Sequence, residues 1–194
     1  MNTSNTYFSG RFANVSSLIF LDFDGVTHPV AASPNEEEFL SGKCHPDLFC
    51  RSELIARLLD EFPGAAMVAI SAWRLACLPS GAKEIDEARF VRTLRPLMPS
   101  FLFARMIGIT PFSLRWKGRH DEIMQFVGKH KLEHLPRVIL DDHAMYYEGI
   151  QPAENECTVI CNPEEGLTMS EVSEIRDFFQ RRQATGGNSG QSDK

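Results

Sequence analysis

Short apolar runs recur along the chain, and the clearest, 18–21, has no polar alternation before it stops on two acids. A continuous apolar run of this length is typical of a strand buried on both faces of a parallel sheet. The hydrophobic pattern predicts five strands, over 15–22, 65–70, 101–109, 136–140 and 158–161.

Helical periodicity separates these strands. In 52–62 apolar residues recur at alternating steps of one and three positions, which predicts a helix with one buried stripe. Similar patterns predict helices over 84–94 and 121–130, and Thr168 with Glu171 forms a capping box for a last helix. Strands that alternate with helices predict an α/β fold in three Rossmann-like layers, with a mainly parallel five-stranded sheet and helices on both faces.

The same pattern predicts a single domain over 15–182, preceded by a polar N-terminal segment over 1–14. With 194 residues, of which 43% are hydrophobic, the chain can bury one good core. Prolines and a glycine interrupt 27–49, which predicts a loop or flap over the site, with a short solvated helix at the acidic triplet 36–38. The segment 183–194 is rich in Gly, Ser and Asn, which predicts disorder.

Composition narrows the classes of function. The chain has 20 basic and 26 acidic residues, a net charge of −6 that argues against a generally basic nucleic-acid binder. Its five cysteines lack metal-binding spacing and are expected to be thiols in a reducing compartment. We find neither a signal-peptide pattern nor a run of roughly 18 apolar residues, so we expect a cytoplasmic protein without a membrane partner.

Acids follow two of the predicted strands. Asp22 and Asp24 end the first strand, where Gly25 lets the chain turn away, and Asp141 with Asp142 ends the fourth. Ligands of open α/β sheets bind at the C-terminal edge of the strands, so these carboxylates are well situated for chemistry. Asp22 and Asp24 would point the same way if the strand continued through them. A solvated turn or an adventitious cation site is the alternative for an isolated Asp-x-Asp.

The run Asp-Phe-Asp-Gly-Val-Thr at 22–27 closely resembles the first motif of the haloacid dehalogenase (HAD) phosphohydrolase superfamily. The resemblance implies that Asp22 is a nucleophile that attacks phosphorus, and that Asp24 is the general acid/base. The strand that ends in Ser71 resembles the second motif, in which the hydroxyl and backbone N–H groups hold a phosphate oxygen; a helix cap is the alternative for Ser71. In the same motif, Arg74 is a candidate substrate ligand.

The third motif requires a cation near the helix over 121–130. Arg115, Lys117 and Arg119 compete for this role, and the pattern Arg-x-x-Glu-Ile favours Arg119, while the lysine usual in the superfamily keeps Lys117 as an alternative. His28 directly follows the first motif and is either a substrate contact or a turn residue.

The strand that ends in Asp141 and Asp142 resembles the fourth motif of the superfamily, in which an acid binds a metal ion. Two clustered anions would repel a phosphate dianion, so the site is expected to require a hard divalent cation, with Mg²⁺ as the default. The resemblance implies a metal site formed by Asp22, Asp24 and Asp142, with Asp142 favoured over Asp141.

A narrower resemblance, to the HAD domain of Swiss Army Knife RNA repair proteins, covers nearly the whole ordered chain. The motifs that carry it are Asp-Phe-Asp-Gly-Val-Thr-His-Pro, Ser-Ala-Trp-Arg, Ile-Gly-Ile-Thr-Pro, Arg-His-Asp-Glu-Ile, Leu-Asp-Asp and Gly-Leu-Thr. It implies a Mg²⁺-dependent phosphomonoesterase that acts through an aspartyl-phosphate, and RNA repair would imply a nucleic-acid terminal phosphate as substrate. Trp116 is a candidate to stack on a terminal base, and packing against the domain is its alternative.

Three other functions compete with this prediction. The same residues would suit a small-molecule phosphatase or a phosphotransferase, or the fold would serve as a non-catalytic binding module. A dehalogenase is disfavoured because dehalogenation does not need Asp141 and Asp142. The motif spacing leaves no room for a globular cap, and an open site suits a polymer end or a phosphoprotein better than a small sugar phosphate. The oligomeric state is not indicated.

Overall fold

The computed structural model describes residue 8 and residues 11–82, 84–112 and 118–186. Within these ranges, five strands and six α-helices form an α/β domain. The strands are β1 (Ser17–Leu21), β2 (Ala65–Ala69), β3 (Met106–Ile109), β4 (Arg137–Asp141) and β5 (Glu156–Ile160). The helices are α1 (Glu36–Ser41), α2 (Ser52–Glu61), α3 (Glu87–Leu94), α4 (Ser100–Arg105), α5 (Arg119–His130) and α6 (Met169–Gly186).

The five strands form one parallel sheet in the order β3-β2-β1-β4-β5. The chain builds outward from β1 through β2 to β3, then crosses back to add β4 and β5 on the other side of β1. The reversal lies between β1 and β4, whose register aligns Leu21 with Leu140. In open α/β sheets the crevice at such a reversal is where ligands bind.

Both faces of the sheet are buried, as the apolar run in β1 predicts. Ile19 and Leu21 pack into the larger hydrophobic cluster, under α1, α2, α3, α4 and α6. Leu18 and Phe20 point the other way, into a smaller cluster with Ile123 and other residues of α5. The result is the expected arrangement of three layers, helix, sheet and helix, with no strand exposed to water on both faces.

Two sequence predictions differ from the structure. Instead of one strand over 101–109, the chain forms α4 and then a strand of four residues, β3. Pro99 immediately precedes α4 and suits a helix start, because the missing N–H of proline is not needed there. The last helix also extends beyond 182 to Gly186, into the segment predicted to be disordered, and 187–194 lie outside the described residues.

The other predicted elements are present with shifted ends. Helix α3 begins at Glu87, where Asp86 caps it, rather than at 84. The flap over 27–49 contains α1, whose start is capped by Asn35 and Glu38 in a reciprocal capping box. At α6 the side chain of Glu171 accepts from Thr168 N, as the capping box predicts. None of the described helices has the length and apolar character needed to cross a bilayer.

The spacing between the motifs leaves no large cap in the described part of the chain. Between β1 and β2 the only α-helices are α1 and α2, and between Arg119 and β4 the only one is α5. No separate inserted domain therefore covers the C-terminal edge of the sheet within the described ranges.

The turn after β1 packs tightly against the residue that follows β4. Gly25 has a φ of +66°, a conformation that glycine adopts at little cost. A Cβ at this position would overlap Oδ2 of Asp142 and would lie 2.6 Å from its Cγ. The absence of a side chain at Gly25 thus allows the ends of the two central strands to approach each other.

We expect Gly25→Ala to destabilise the protein by two separable effects. The left-handed backbone costs roughly 1–2 kcal/mol, and the overlap with Asp142 costs a further 1–3 kcal/mol, roughly, as for other overpacked sites. The free energy of unfolding in urea, measured in the wild-type and the Asp142→Gly backgrounds, separates them. The substitution should cost less in the second background; equal costs would show that the contact with Asp142 is not what requires glycine.

Candidate active site

The predicted acids meet at the C-terminal edge of the two central strands. Asp22 directly follows β1, Asp141 is the last residue of β4, and Asp142 follows it. Because β1 and β4 are neighbours and parallel, residues 97 or more positions apart in the chain are brought together at the reversal of the sheet. Ser71 lies near the end of β2, on the other side of β1.

Arg119 joins the two central acids. It is the first residue of α5, and its Nη1 donates both to Asp22 Oδ2 and, at 2.7 Å, to Asp141 Oδ2. All three side chains are at least nine-tenths buried. A buried cation between two buried carboxylates offsets the desolvation that each charge would otherwise suffer alone.

Burial and neighbouring charges shift the acidity of this group. Desolvation by burial raises the pKa of Asp22 to about 6, with Arg119 opposing the shift and the charge of Asp141 adding to it. Burial alone would lower the pKa of Arg119, but the charges of Asp22 and Asp141 outweigh it and raise that pKa further above its usual range. Arg119 therefore stays charged and favours the ionised form of Asp22, the form that can act as a nucleophile.

Asp141 has protein partners on both oxygens. Its Oδ1 accepts from the backbone N–H of His143 at 3.0 Å. Its Oδ2 accepts from Arg119 and, at 2.6 Å, from the hydroxyl of Tyr147. Burial, followed by the charge of Asp141, raises the pKa of Tyr147, so this phenol stays a donor. The role that these contacts indicate for Asp141 is to hold Arg119.

Asp142 has a different environment. Its Oδ1 contacts His143 Nδ1 at 2.5 Å, whereas Oδ2 is buried and has no hydrogen-bond partner among the described residues. A buried carboxylate oxygen without a donor is costly unless a cation or water satisfies it. The ligand atoms of Asp141, Asp142 and His143 lie within 4.8 Å of one another, and in this group the unpartnered oxygen belongs to Asp142. These residues fit a hard divalent cation, which prefers oxygen ligands.

The side chain of Asp24 has different hydrogen-bond partners from that of Asp22. Its Oδ2 accepts from the indole N–H of Trp73 at 2.8 Å, and its Oδ1 lies 3.2 Å from His28 Nε2. Because β1 ends at Leu21, the strand alternation does not extend through Asp24. His28 is fully buried, so its place in the structure is beside the acid rather than on an exposed turn.

Ser71 and Arg74 both lie beneath the surface of the site. The hydroxyl of Ser71 accepts from Trp73 N at 3.3 Å and caps the 3-10 turn Ala72–Cys77. Arg74 is 3% exposed and pairs with Glu122 of α5, while also donating to the carbonyls of Ile70 and Ser71. These contacts make Arg74 a bridge between β2 and α5, and its role as a substrate ligand stays a prediction.

Several other candidates lie outside the described residues. Arg115, Trp116 and Lys117 belong to the undescribed 113–117, so Arg119 is the one of the three competing cations whose contacts are known. The roles of Lys117 and Trp116 stay predictions.

Sequence reasoning overlooked three side chains of the site. Trp73 and Tyr147 donate to Asp24 and Asp141, and the ring of Tyr146 lies 4.8 Å from the Arg119 guanidinium carbon. Each follows a predicted strand end by a few residues, and aromatic residues at these positions are the signal that was available. Tyr146 also stacks on His143, with ring centroids 5.4 Å apart, and both rings are partly exposed beside the acids.

The chain is similar to a known family of protein domains. The model of the HAD domain in Swiss Army Knife RNA repair proteins matches residues 18–172, which include all four motifs. No curated protein sequence matches the chain. Among solved structures, a haloacid dehalogenase-like hydrolase from Streptococcus pneumoniae is similar, with a TM-score of 0.44 and 14% identity over 87% of this chain and 100% of the other. With a family model that matches most of its length, the chain belongs to the HAD superfamily of hydrolases, in the family of HAD domains found in Swiss Army Knife RNA repair proteins.

Proposed function

We propose that the protein is a Mg²⁺-dependent phosphomonoester hydrolase that acts through an aspartyl-phosphate on Asp22. The observation that carries the proposal is the buried Asp22–Arg119 pair at the reversal of the sheet, together with the buried, unpartnered oxygen of Asp142 directly after β4. Phosphoryl transfer to a protein needs a nucleophile and positive charge near the phosphate. The ionised Asp22 would supply the first, and Arg119 together with a metal ion bound by Asp142 would supply the second.

The first half of the reaction transfers the phosphoryl group to the protein. A carboxylate oxygen of Asp22 forms a bond to phosphorus while the bond between phosphorus and the ester oxygen breaks. Arg119, whose pKa is raised, offsets negative charge on the transferring group. Asp24 gives its proton to the leaving oxygen, so the product departs as an alcohol.

The second half restores the enzyme. Asp24, now ionised, accepts a proton from a water molecule as the water oxygen bonds to phosphorus. The acyl-phosphate bond breaks, Asp22 regains its carboxylate, and inorganic phosphate is released. Asp24 ends the cycle protonated, ready for the next leaving group. Ser71, near the end of β2, is suited to hold a phosphate oxygen through its hydroxyl.

Asp142, Asp22 and the backbone carbonyl of Asp24 would hold the Mg²⁺, which offsets the charge of the phosphate when it is bound. Asp141 is the weaker candidate, because Arg119, Tyr147 and the backbone of His143 already occupy both of its oxygens.

For the substrate we propose a nucleic-acid end that carries a terminal phosphate. Membership of a family found in RNA repair proteins supports this proposal, and so does the lack of a large cap in the described part of the chain. The partly exposed stack of His143 and Tyr146 beside the acids supports it too, because bases stack on such rings. The alternative functions are a small-molecule phosphatase and a binding module without catalytic activity.

Asp22→Asn should lower the turnover of an unselective aryl phosphate by roughly 10⁴-fold or more, because the amide cannot attack phosphorus. Phosphate release and the thermal unfolding midpoint should be measured together, since the near-isosteric amide keeps the shape of the site. Asp60→Asn, the same change at an exposed position of α2, is the matched control and should be fully active. Retained turnover in Asp22→Asn would refute its role as nucleophile, and an inactive wild type that still binds Mg²⁺ would favour the binding module.

The two acids after β4 should differ in their effect on the metal. Asp142→Asn should weaken Mg²⁺ binding by at least about 10-fold, whereas Asp141→Asn should weaken it less, because Asp141 acts on Arg119 rather than on the ion. Isothermal titration of each metal-free variant with Mg²⁺ measures this without relying on activity. The reverse ranking would mean that Asp141 is the metal ligand.

The substrate class can be decided by a panel of phosphomonoesters. We expect oligonucleotides with a 3′ or 5′ phosphate to have higher kcat/KM than mononucleotides, sugar phosphates and phosphopeptides. If Trp116 stacks on a terminal base, Trp116→Ala should lower kcat/KM for the oligonucleotide alone by about 5- to 100-fold, the equivalent of roughly 1–3 kcal/mol. Faster turnover of mononucleotides or sugar phosphates than of every oligonucleotide would contradict the polymer-end proposal.

A further inference from the structure

The carboxylate of Asp24 is held on both oxygens by ring nitrogens. The indole N–H of Trp73 donates to Oδ2 at 2.8 Å, and Nε2 of His28 lies 3.2 Å from Oδ1. Trp73 is 6% exposed and His28 0%, whereas the side chain of Asp24 is 28% exposed. Two buried donors thus hold an acid that itself reaches the surface of the site.

The other ring nitrogen of His28 faces the side chain of Thr27. The carbonyl of Phe23 already accepts from the backbone N–H groups of Thr27, at 2.8 Å, and Val26, at 3.2 Å. The Thr27 hydroxyl lies 2.9 Å from the same carbonyl, to which it can donate, and 2.8 Å from Nδ1 of His28. Because an ionised Asp24 carboxylate can only accept, its 3.2 Å contact with His28 is a hydrogen bond when Nε2 carries the hydrogen.

Aromatic packing fixes the two donors in turn. The ring of Trp73 lies 5.2 Å from that of Phe23, 5.1 Å from that of Phe39 and 5.9 Å from that of Phe49, between ring centroids. His28 packs on Phe49 at 5.7 Å and on Trp73 at 5.9 Å. Each of these rings is buried, so neither donor can swing away from Asp24 without disturbing its neighbours.

This aromatic cluster, formed by Phe23, His28, Phe39, Phe49 and Trp73, joins three separate segments. Phe23 belongs to the turn after β1, His28, Phe39 and Phe49 belong to the flap over 27–49, and Trp73 belongs to the 3-10 turn after β2. The position of Asp24 therefore depends on how the flap packs against the end of β2.

We propose that His28 and Trp73 are positioning residues that clamp the Asp24 carboxylate in the orientation needed for proton transfer. A carboxylate bonded at one oxygen only can rotate about its side-chain bonds, whereas bonds at both oxygens leave one orientation. General acid catalysis depends on such preorganisation, because the proton must already face the leaving oxygen. The inference rests on the proposed role of Asp24 as general acid/base.

Esters with different leaving groups test the clamp. A dinitrophenolate departs without a proton, whereas an alkoxide needs one, so a misplaced acid slows alkyl esters selectively. For Trp73→Phe and His28→Leu, kcat/KM for an alkyl phosphate should fall by about 10- to 100-fold, and for dinitrophenyl phosphate by less than about threefold. Trp73→Phe keeps a ring but removes the N–H, and His28→Leu removes the other donor.

The matched control is Phe62→Leu, which removes a buried ring that packs on Phe179 and lies outside the aromatic cluster. It should lower the unfolding midpoint and leave the dependence on the leaving group unchanged. His28→Gln, whose amide N–H can still donate, should recover part of the alkyl phosphate activity lost in His28→Leu. A purely structural role would instead slow all the esters by the same factor.

Asp24→Asn in the same series separates this inference from the proposed function. If Asp24→Asn lowers kcat/KM selectively for the alkyl ester and the clamp variants do not, the clamp is overturned and the acid stands. If Asp24→Asn lowers kcat/KM equally for all esters, or the wild type hydrolyses none of them, the role of Asp24 as general acid fails and the clamp fails with it. Because the two clamp variants alter different donors, a folding defect in one leaves the other to decide.

Discussion

The arrangement of the site depends on one buried cation between two buried acids. Arg119 at the start of α5 holds Asp22 and Asp141 at the ends of the two central strands. Removing one partner from such a buried group costs about 3–5 kcal/mol, because a charge is then left without compensation. The same contact fixes the first turn of α5 against the sheet, so the position of Asp22 and the packing of this layer depend on each other.

The hydrophobic pattern predicted the sheet well because both faces of its strands are buried, which leaves a signal in the chain itself. It failed at 101–105, where Phe101, Leu102 and Phe103 look like a strand but form α4. A short apolar run does not distinguish a buried strand from a buried helix, and here Pro99 and packing against α2 decide in favour of the helix. The end of α6 was also missed. Its last residues are polar and leave no apolar pattern in the sequence, yet they continue a helix whose apolar face is already packed.

The grouping of the candidate residues was predictable where they follow the ends of strands. Asp22, Ser71, Asp141 and Asp142 follow from the order of the strands, and Arg119 from the motif beside α5. Trp73 and Tyr147 were not predictable, because their donation to Asp24 and Asp141 depends on how turns pack in three dimensions. The resemblance already favoured Asp142 over Asp141 as the metal ligand, and the structure adds that the buried carboxylate oxygen without a donor belongs to Asp142.

The order of the strands in the sheet also has a consequence for how the protein folds. β1 lies early in the sequence, yet its neighbour on one side in the sheet is β4. The contact of Arg119 with Asp22 likewise joins residues that are 97 positions apart. Contacts between distant segments form slowly, because the entropy lost on loop closure precedes any gain from pairing. β2 can pair with β1 before β4 docks, so we expect the surroundings of Asp22 to be completed late, after part of the sheet has assembled.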